Sequence, residues 1–286
     1  MNAGFVGRVV LIVPFLAASA WAESPRGRED DAAREKRAFD VAAPVFESLP
    51  AEYCFTSGNA FDPDYLKFCV SPRGHITHFE SPLGLTHIAG GEGYVLCADD
   101  DNYVAVGFDA GIAEGGWGDP SVSQPGGAGT LPLVVTRTSL DGRVLLKQTF
   151  TRNAAERGVD VKMDVKNVSA VPLSHVLLDR YFDADIAGSA SNDFWDRSNT
   201  EAVWATDRPQ GNMLLLTSAP PAFGTVIGTA ETFADWSPFG SRQSSRGCVP
   251  YVTIYSKFDG VGRMERVFGA IDPGVTKTVI FRYRRF

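Results

Sequence analysis

The sequence predicts an all-β protein, a large antiparallel β-sandwich, and three observations carry that prediction. Apolar and polar residues alternate with period two in many short segments from Tyr53 onward. Gly, Asp and Pro interrupt these segments at close intervals, where tight turns need them. The segments follow one another without helical patterns between them, an order that argues for antiparallel sheets packed face to face.

The clearest segment runs from Val159 to Lys166. Val159, Val161, Met163 and Val165 fall on one face, and Asp160, Lys162, Asp164 and Lys166 on the other. A half-buried strand reads this way because successive side chains point to opposite sides. Upstream, strands over 133–138 and 143–150 flank Asp141-Gly142. Asp-Gly tolerates the positive φ of a tight hairpin turn, so the two strands form a β-hairpin. Another strand is expected over 174–182, after Pro172. Further strands are expected over 67–71, 75–79, 94–97, 103–108, 202–205, 213–217, 249–255, 264–270 and 276–283. Three long loops are expected over 113–129, 187–199 and 232–247, and long loops in compact domains are often functional.

The N-terminus has the pattern of a secretory signal. Arg8 precedes an apolar run over 9–18, and Ser19-Ala20-Trp21-Ala22 presents small residues where a signal peptidase reads them. The run is roughly half as long as a bilayer core requires. Residues 1–22 are therefore expected to be a signal peptide, 23–45 a charged leader and 46–286 a single sandwich domain. The expected location is periplasmic or secreted.

The formal charge is −7, and loss of Arg8 with the leader would make it −8. Such a chain repels nucleic acid and anionic membrane surfaces, which argues against either as a partner. Four cysteines, Cys54, Cys69, Cys97 and Cys248, suggest two disulfides in an oxidising compartment. Three connectivities are open. Cys54–Cys69 with Cys97–Cys248 is favoured because short loops close most readily. No CxxC pair supports a zinc site.

Each long loop pairs a Trp with an Asp: Trp117 with Asp119, Trp195 with Asp193 and Asp196, and Trp236 with Asp235. Aromatic faces stack on the apolar face of a sugar ring, and carboxylates hold its hydroxyls. The same indoles could instead plug the core beneath their loops. Asp179, Asp183, Asp185, Asn192, Asp193 and Asp196 form the densest acidic stretch. Asp183, Asp185, Asn192 and Asp193 could offer oxygens to Ca²⁺, although their spacing is not that of an EF-hand. Asp183, Asp185 and Asp193 are also candidates for an acid–base or nucleophile pair of the glycosidase kind. His75, His78 and His87 are suggestive of a metal site. However, an odd offset puts His75 and His78 on opposite faces of a strand. No Gly-x-Ser-x-Gly, His-Glu-x-x-His, phosphate-loop or dinucleotide fingerprint is present.

The stretch from Leu133 to Phe182 resembles part of the galactose mutarotase-like supersandwich. The residues that carry the likeness are Asp141-Gly142, the strand at Val159–Val165 and the passage Asn167-Val168-Ser169-Ala170-Val171-Pro172. The segment Gly74-His75-Ile76-Thr77-His78-Phe79-Glu80-Ser81-Pro82-Leu83-Gly84 would be an early strand of that fold. The resemblance covers about a third of the chain after the leader. It implies a supersandwich fold. Mutarotases follow this passage with Gly-x-His-Pro-Tyr-Phe, whose His is a catalytic acid. Here the sequence is Leu178-Asp179-Arg180-Tyr181-Phe182, so that His has no counterpart and no catalytic residue carries over.

The leading functional expectation is an exported module that binds carbohydrate or another small ligand through its Trp- and Asp-bearing loops. A glycan-active hydrolase or epimerase using Asp carboxylates is the alternative. A non-catalytic structural or interaction domain of the cell envelope is a third.

Overall fold

The alternation seen in the sequence becomes sixteen strands in the computed structural model, which describes residues 52–88, 91–98, 116–188, 193–198, 201–207, 210–220, 224–229 and 260–286. The expected signal peptide and charged leader lie outside the described residues. So do the strands expected over 103–108 and 249–255, the third long loop with Asp235 and Trp236, and Cys248.

β1 (Tyr53–Ser57), β2 (Leu66–Val70), β3 (Ile76–Glu80) and β4 (Thr86–Ile88) form one four-stranded sheet in that order. A second runs β14 (Gly224–Thr229), β15 (Gly260–Ile271), β10 (Leu173–Asp183), β5 (Glu92–Cys97). The third has eight strands, in the order β11 (Asp193–Arg197), β12 (Ala202–Asp207), β13 (Met213–Ala219), β16 (Thr276–Arg285), β9 (Gly158–Asn167), β8 (Val144–Asn153), β7 (Leu133–Thr138), β6 (Ser121–Ser123). Every pairing between these strands is antiparallel. Among the described residues, helical turns are confined to Ala154–Glu156 and Ile186–Gly188. None of the helices there is long and apolar enough to cross a membrane.

The eight-stranded sheet presents one apolar face. Val144, Leu146 and Phe150 of β8, Val159, Val161, Met163 and Val165 of β9, and Val279 and Phe281 of β16 are all fully buried. The opposite face of β9 and β16 is charged, with Lys162 paired to Asp164 and Arg282 to Asp160. The expected hairpin is β7–β8, and Gly142 supplies its positive φ of 72°.

Two expected loops contain strands. The stretch 187–199 holds β11, which pairs with β12 as the edge of the large sheet. The stretch 113–129 holds β6, which pairs with β7. Both are short edge strands whose residues include Asp, Trp or Ser, so composition concealed them.

The β14–β15–β10–β5 sheet lies against the apolar face of the large sheet, and a buried ion pair ties the two together. Arg180 of β10 and Glu92 of β5 are both fully buried, with Arg180 Nε 2.6 Å from Glu92 Oε1. Tyr283 of β16 donates its hydroxyl to Glu92 at 2.5 Å and accepts from Arg180 Nε at 3.1 Å. Arg180 also donates to Gln148 Oε1 of β8 at 3.0 Å, and the backbone N–H of Ile76 donates to Glu92 Oε2 at 2.5 Å. The guanidinium lies over the rings of Phe150 and Tyr283 at 5.6 and 5.7 Å. Burial pushes the Glu92 carboxyl up, while Arg180 pulls it down.

Candidate functional site

β10 carries charge on both faces. Leu178, Arg180 and Phe182 point toward the large sheet, so Asp179, Tyr181 and Asp183 point the other way. Asp179 and Tyr181 are each only 2% exposed. The outer face of this sheet is therefore buried as well, and it is polar.

On that face Asp179 stands opposite Glu265 of β15, and Tyr181 opposite Arg263. Directly opposed antiparallel residues project to the same side. Arg263 Nη2 lies 3.0 Å from Asp179 Oδ2, and the same nitrogen is paired with Glu265 Oε1. Two acceptors on one donor bring the carboxyl oxygens within about 6 Å of each other. Arg263 and Glu265 are buried as well. Asp179 Oδ1, the oxygen turned away from Arg263, has no donor. Burial raises the Asp179 carboxyl well above its ordinary range. Arg263 opposes that rise, and the negative charge of Glu265 adds to it. The cluster therefore holds two carboxyls on one arginine nitrogen, and burial makes Asp179 favour its proton.

Glycine gives this face its room. Gly93 of β5 sits opposite Tyr181. A Cβ at Gly93 would lie 2.3 Å from the Tyr181 hydroxyl oxygen, and one at Gly91 would lie 2.5 Å from Asp183 Cβ. Both values are below any van der Waals contact, so the large side chains of β10 lie over a strand edge that must stay bare.

A second acidic group lies on the inner face of the large sheet, where Trp195 of β11 meets Phe182. Asp193 opens β11 and faces Asp207 of β12. Asp193 is fully buried, and its Oδ2 accepts the backbone N–H of Ile186 at 3.1 Å. Its Oδ1 has no donor. Burial, with the charges of Asp185, Asp207 and Asp183 adding to it, pushes this carboxyl up to about 7. The three residues singled out as acid–base candidates, Asp183, Asp185 and Asp193, thus lie within electrostatic reach of one another.

The other residues singled out in the sequence are dispersed. Trp117 is buried and stacks edge-on with Tyr94, the ring centroids 6.2 Å apart. Trp195 is buried against Phe182 at 5.1 Å. Asp119 and Asp196 are exposed, and Asp196 caps the backbone N–H of Arg197. Trp236, Asp235 and Asn192 lie outside the described residues. His78 meets Glu80, His75 meets Ser71, and His87 donates to the Ser81 carbonyl, so the three imidazoles have separate partners. Among the described residues, one set of three metal-competent side chains converges: Glu52, Cys54 and Cys69. Its two cysteines are joined to each other as a disulfide. Cys97 is also disulfide-bonded.

Sequence reading noted Asp179 within an acidic stretch but passed over Tyr181, Arg263 and Glu265. Two signals could have found them. Asp179-Arg180 places opposite charges on the two faces of one apolar strand. Arg263-x-Glu265 repeats charge at the strand period.

No protein-family model matches the sequence, and no curated protein matches it. Among solved structures, a bacterial glucoamylase crystallised with acarbose superposes with a TM-score of 0.57 at 13% identity, over 85% of this chain and 34% of that chain. An Escherichia coli K12 protein assigned as an aldose 1-epimerase gives 0.45 at 11% identity, over 82% of this chain and 99% of that one. A polysaccharide lyase gives 0.42 at 10% identity, over 83% of this chain and 33% of that one. The chain spans about a third of the glucoamylase's length. The fold is thus a supersandwich-type antiparallel β-sandwich, as the resemblance in the sequence implied.

Proposed function

We propose that this is an extracytoplasmic carbohydrate-binding protein whose ligand is held on the outer face of β10 and β15 by Asp179, Tyr181, Arg263 and Glu265. The observation that carries the reading is the buried Asp179–Arg263–Glu265 cluster with Asp179 Oδ1 left without a donor. A buried carboxyl oxygen calls for a hydrogen-bond donor, and a sugar hydroxyl supplies one. The carbohydrate chemistry named for the glucoamylase of shared fold is in keeping with it. Location outside the cytoplasm is supported by the N-terminal pattern and by the Cys54–Cys69 disulfide.

Calorimetric titration with neutral gluco-, manno-, galacto- and chito-oligosaccharides tests the binding. At least one series should saturate, and Asp179→Asn and Glu265→Gln should weaken it at least about tenfold while the circular dichroism spectrum holds. No saturable binding by the wild-type protein anywhere in the panel would remove the proposal. For the export claim, N-terminal sequencing of the mature protein should begin at Glu23.

A second reading, catalysis, is favoured by two carboxyls on one arginine, of which burial raises Asp179 well above its ordinary range. Asp179, which favours its proton, is suited to donate it to a glycosidic or ring oxygen. Glu265, held by Arg263, is suited to act as the base or nucleophile. NMR of the bound oligosaccharide over time separates this from binding alone: new anomeric signals support it, and an unchanged spectrum leaves binding only.

A further inference from the structure

We propose that the open edge of β1 is a docking site for an extended peptide with an acidic side chain, bound by strand addition. The inference is independent of the carbohydrate reading and concerns a different sheet.

β1 stands at the edge of its sheet, and its one partner among the described strands is β2. The disulfide shows which of its backbone groups are turned outward. Cys54 and Cys69 are directly opposed, with their Cα atoms 4.0 Å apart. In an antiparallel pair the closely approaching positions are those that exchange no hydrogen bonds, so their N–H and C=O groups point away from the partner. Thr56, two residues on and opposite Lys67, falls in the same class. The backbone donors and acceptors of Cys54 and Thr56 therefore face away from β2, and both residues are exposed. Sheet edges are ordinarily guarded by charge, proline or a bulge. Tyr53-Cys54-Phe55-Thr56-Ser57 has no charge and no proline, and it pairs with β2 without a register shift.

A cleft of about 300 Å³ follows this edge, lined by the four consecutive residues Cys54 to Ser57. Consecutive strand residues point to opposite faces, so what the four share is the edge itself. The facing wall is Gly129 and Leu131, in the connection from β6 to β7. That wall is braced. Gln124 donates its Nε2 to the Thr130 carbonyl at 2.9 Å and accepts the Gly129 N–H at 3.1 Å. Phe55 and Phe68, their ring centroids 5.3 Å apart, join Leu131 in the apolar part of the lining. Arg152, near the end of β8, is the charged residue of the lining; it is exposed and makes no ion pair among the described residues. Glu52 sets its carboxylate beside the disulfide sulfurs, on the face of β1 away from Phe55.

An extended peptide answers each of these features. Its backbone supplies donors and acceptors at the spacing that Cys54 and Thr56 present, which is how strand addition gains affinity. Alternate side chains turn into the cleft, where an apolar one meets the Phe55 and Leu131 lining and a carboxylate pairs with Arg152. A basic peptide would set like charge against Arg152. A small carboxylate could pair with Arg152 but would leave the edge groups of Cys54 and Thr56 to water.

The test is fluorescence anisotropy on the purified protein with dye-labelled hexapeptides. The parent is Val-Thr-Asp-Thr-Val-Thr, capped at both ends, with a Lys-for-Asp analogue beside it. Two more analogues carry N-methyl groups on alternate residues, one for each edge of the peptide strand. The Asp peptide should bind with a Kd below about 100 µM and the Lys peptide at least about tenfold more weakly. One N-methylated analogue should lose binding and the other keep it, because only one edge of an added strand meets β1. Thr56→Pro removes an N–H that β2 does not use, so it should weaken the Asp peptide at least about tenfold while the circular dichroism spectrum holds. Arg152→Glu should reverse the preference between the Asp and Lys peptides. Absence of binding by the Asp peptide, or equal binding by the parent and both N-methylated analogues, overturns the inference. So does a dimer in sedimentation that Thr56→Pro dissolves, which would place a second copy on the edge. The peptide comparison on the wild-type protein decides the question even if a variant fails to fold.

Discussion

Replacing Arg180 with methionine tests how the two sheets are held together. Methionine matches the length of the arginine stem, so the change removes the charge and its hydrogen bonds with little loss of volume. It would leave Glu92 fully buried with Tyr283 and the Ile76 N–H as its remaining partners. Arginine is the foremost influence lowering the Glu92 carboxyl, so its loss drives that group further toward protonation. Breaking a buried pair by removing one partner typically costs about 3–5 kcal/mol. For a chain of this size that corresponds to a melting temperature about 6–20 °C lower. Equilibrium urea denaturation followed by tryptophan fluorescence gives the free energy directly. The double variant Arg180→Met/Glu92→Gln should cost less than the sum of the single variants by at least about 1 kcal/mol, because the second change removes the stranded carboxylate. If Arg180→Met lies within about 1 kcal/mol of the wild type, or the two changes add, the pair is not what ties these sheets together.

The remaining predictions concern pH and the disulfide. Asp193, at about 7 in the fold and near 3.8 unfolded, binds more protons when folded, so its contribution to stability is complete below about 4 and lost as pH rises through about 7. Asp193→Asn should therefore gain on the wild type in melting temperature between pH 4 and pH 8, and a pH-independent difference would contradict the buried carboxyl. His87 is pushed down to about 4 by burial, opposed by its hydrogen bond to Ser81, so it stabilises the fold above about 6.5 and ceases to as pH falls through about 4. The stability gap between wild type and His87→Gln should shrink by up to about 3 kcal/mol over that window, as measured by urea denaturation at each pH. Removing Cys54–Cys69, which spans 15 residues and joins directly opposed positions of β1 and β2, should cost about 3 kcal/mol in the Cys54→Ala/Cys69→Ala variant, read from the shift in urea midpoint.

Local pattern was legible in the sequence, and long-range partnership was not. The four-on-four alternation of Val159–Lys166 identified β9, and Asp141-Gly142 identified the β7–β8 turn, because both signals lie within a few residues of chain. The short loop between Cys54 and Cys69 pointed to the disulfide that forms. Nothing local links Arg180 to Glu92 or to Tyr283, more than a hundred residues later. The acidic site was half visible. Asp179, Asp183, Asp185 and Asp193 stood out as a cluster, but Arg263 and Glu265 join it only because β15 pairs with β10. Trp117 and Trp195 show the same limit of sequence alone. An indole beside an aspartate looks the same in a binding loop as at a strand edge, and only burial against Tyr94 and Phe182 separates the cases.

Consecutive residues of β10 set the Arg180 network and the acidic cluster back to back. A slip of one residue in its pairing with β15 or β5 would turn Arg180 outward and Asp179 inward, stranding both from their partners. The Arg180–Glu92–Tyr283 network therefore fixes the register, and the register fixes where Asp179, Glu265 and Arg263 meet. The bulge at Ser174–His175, where His175 takes a φ of 47°, lies before this stretch, and the pairing from Leu177 to Asp183 runs without interruption. A site built on such a strand is held to within the tolerance of the core rather than of a loop. The same coupling means that Arg180→Met should weaken the proposed glycan binding at the opposite face although Arg180 lies on the inner one. Binding that is unchanged in a folded Arg180→Met protein would show that the outer face keeps its geometry without the inner network.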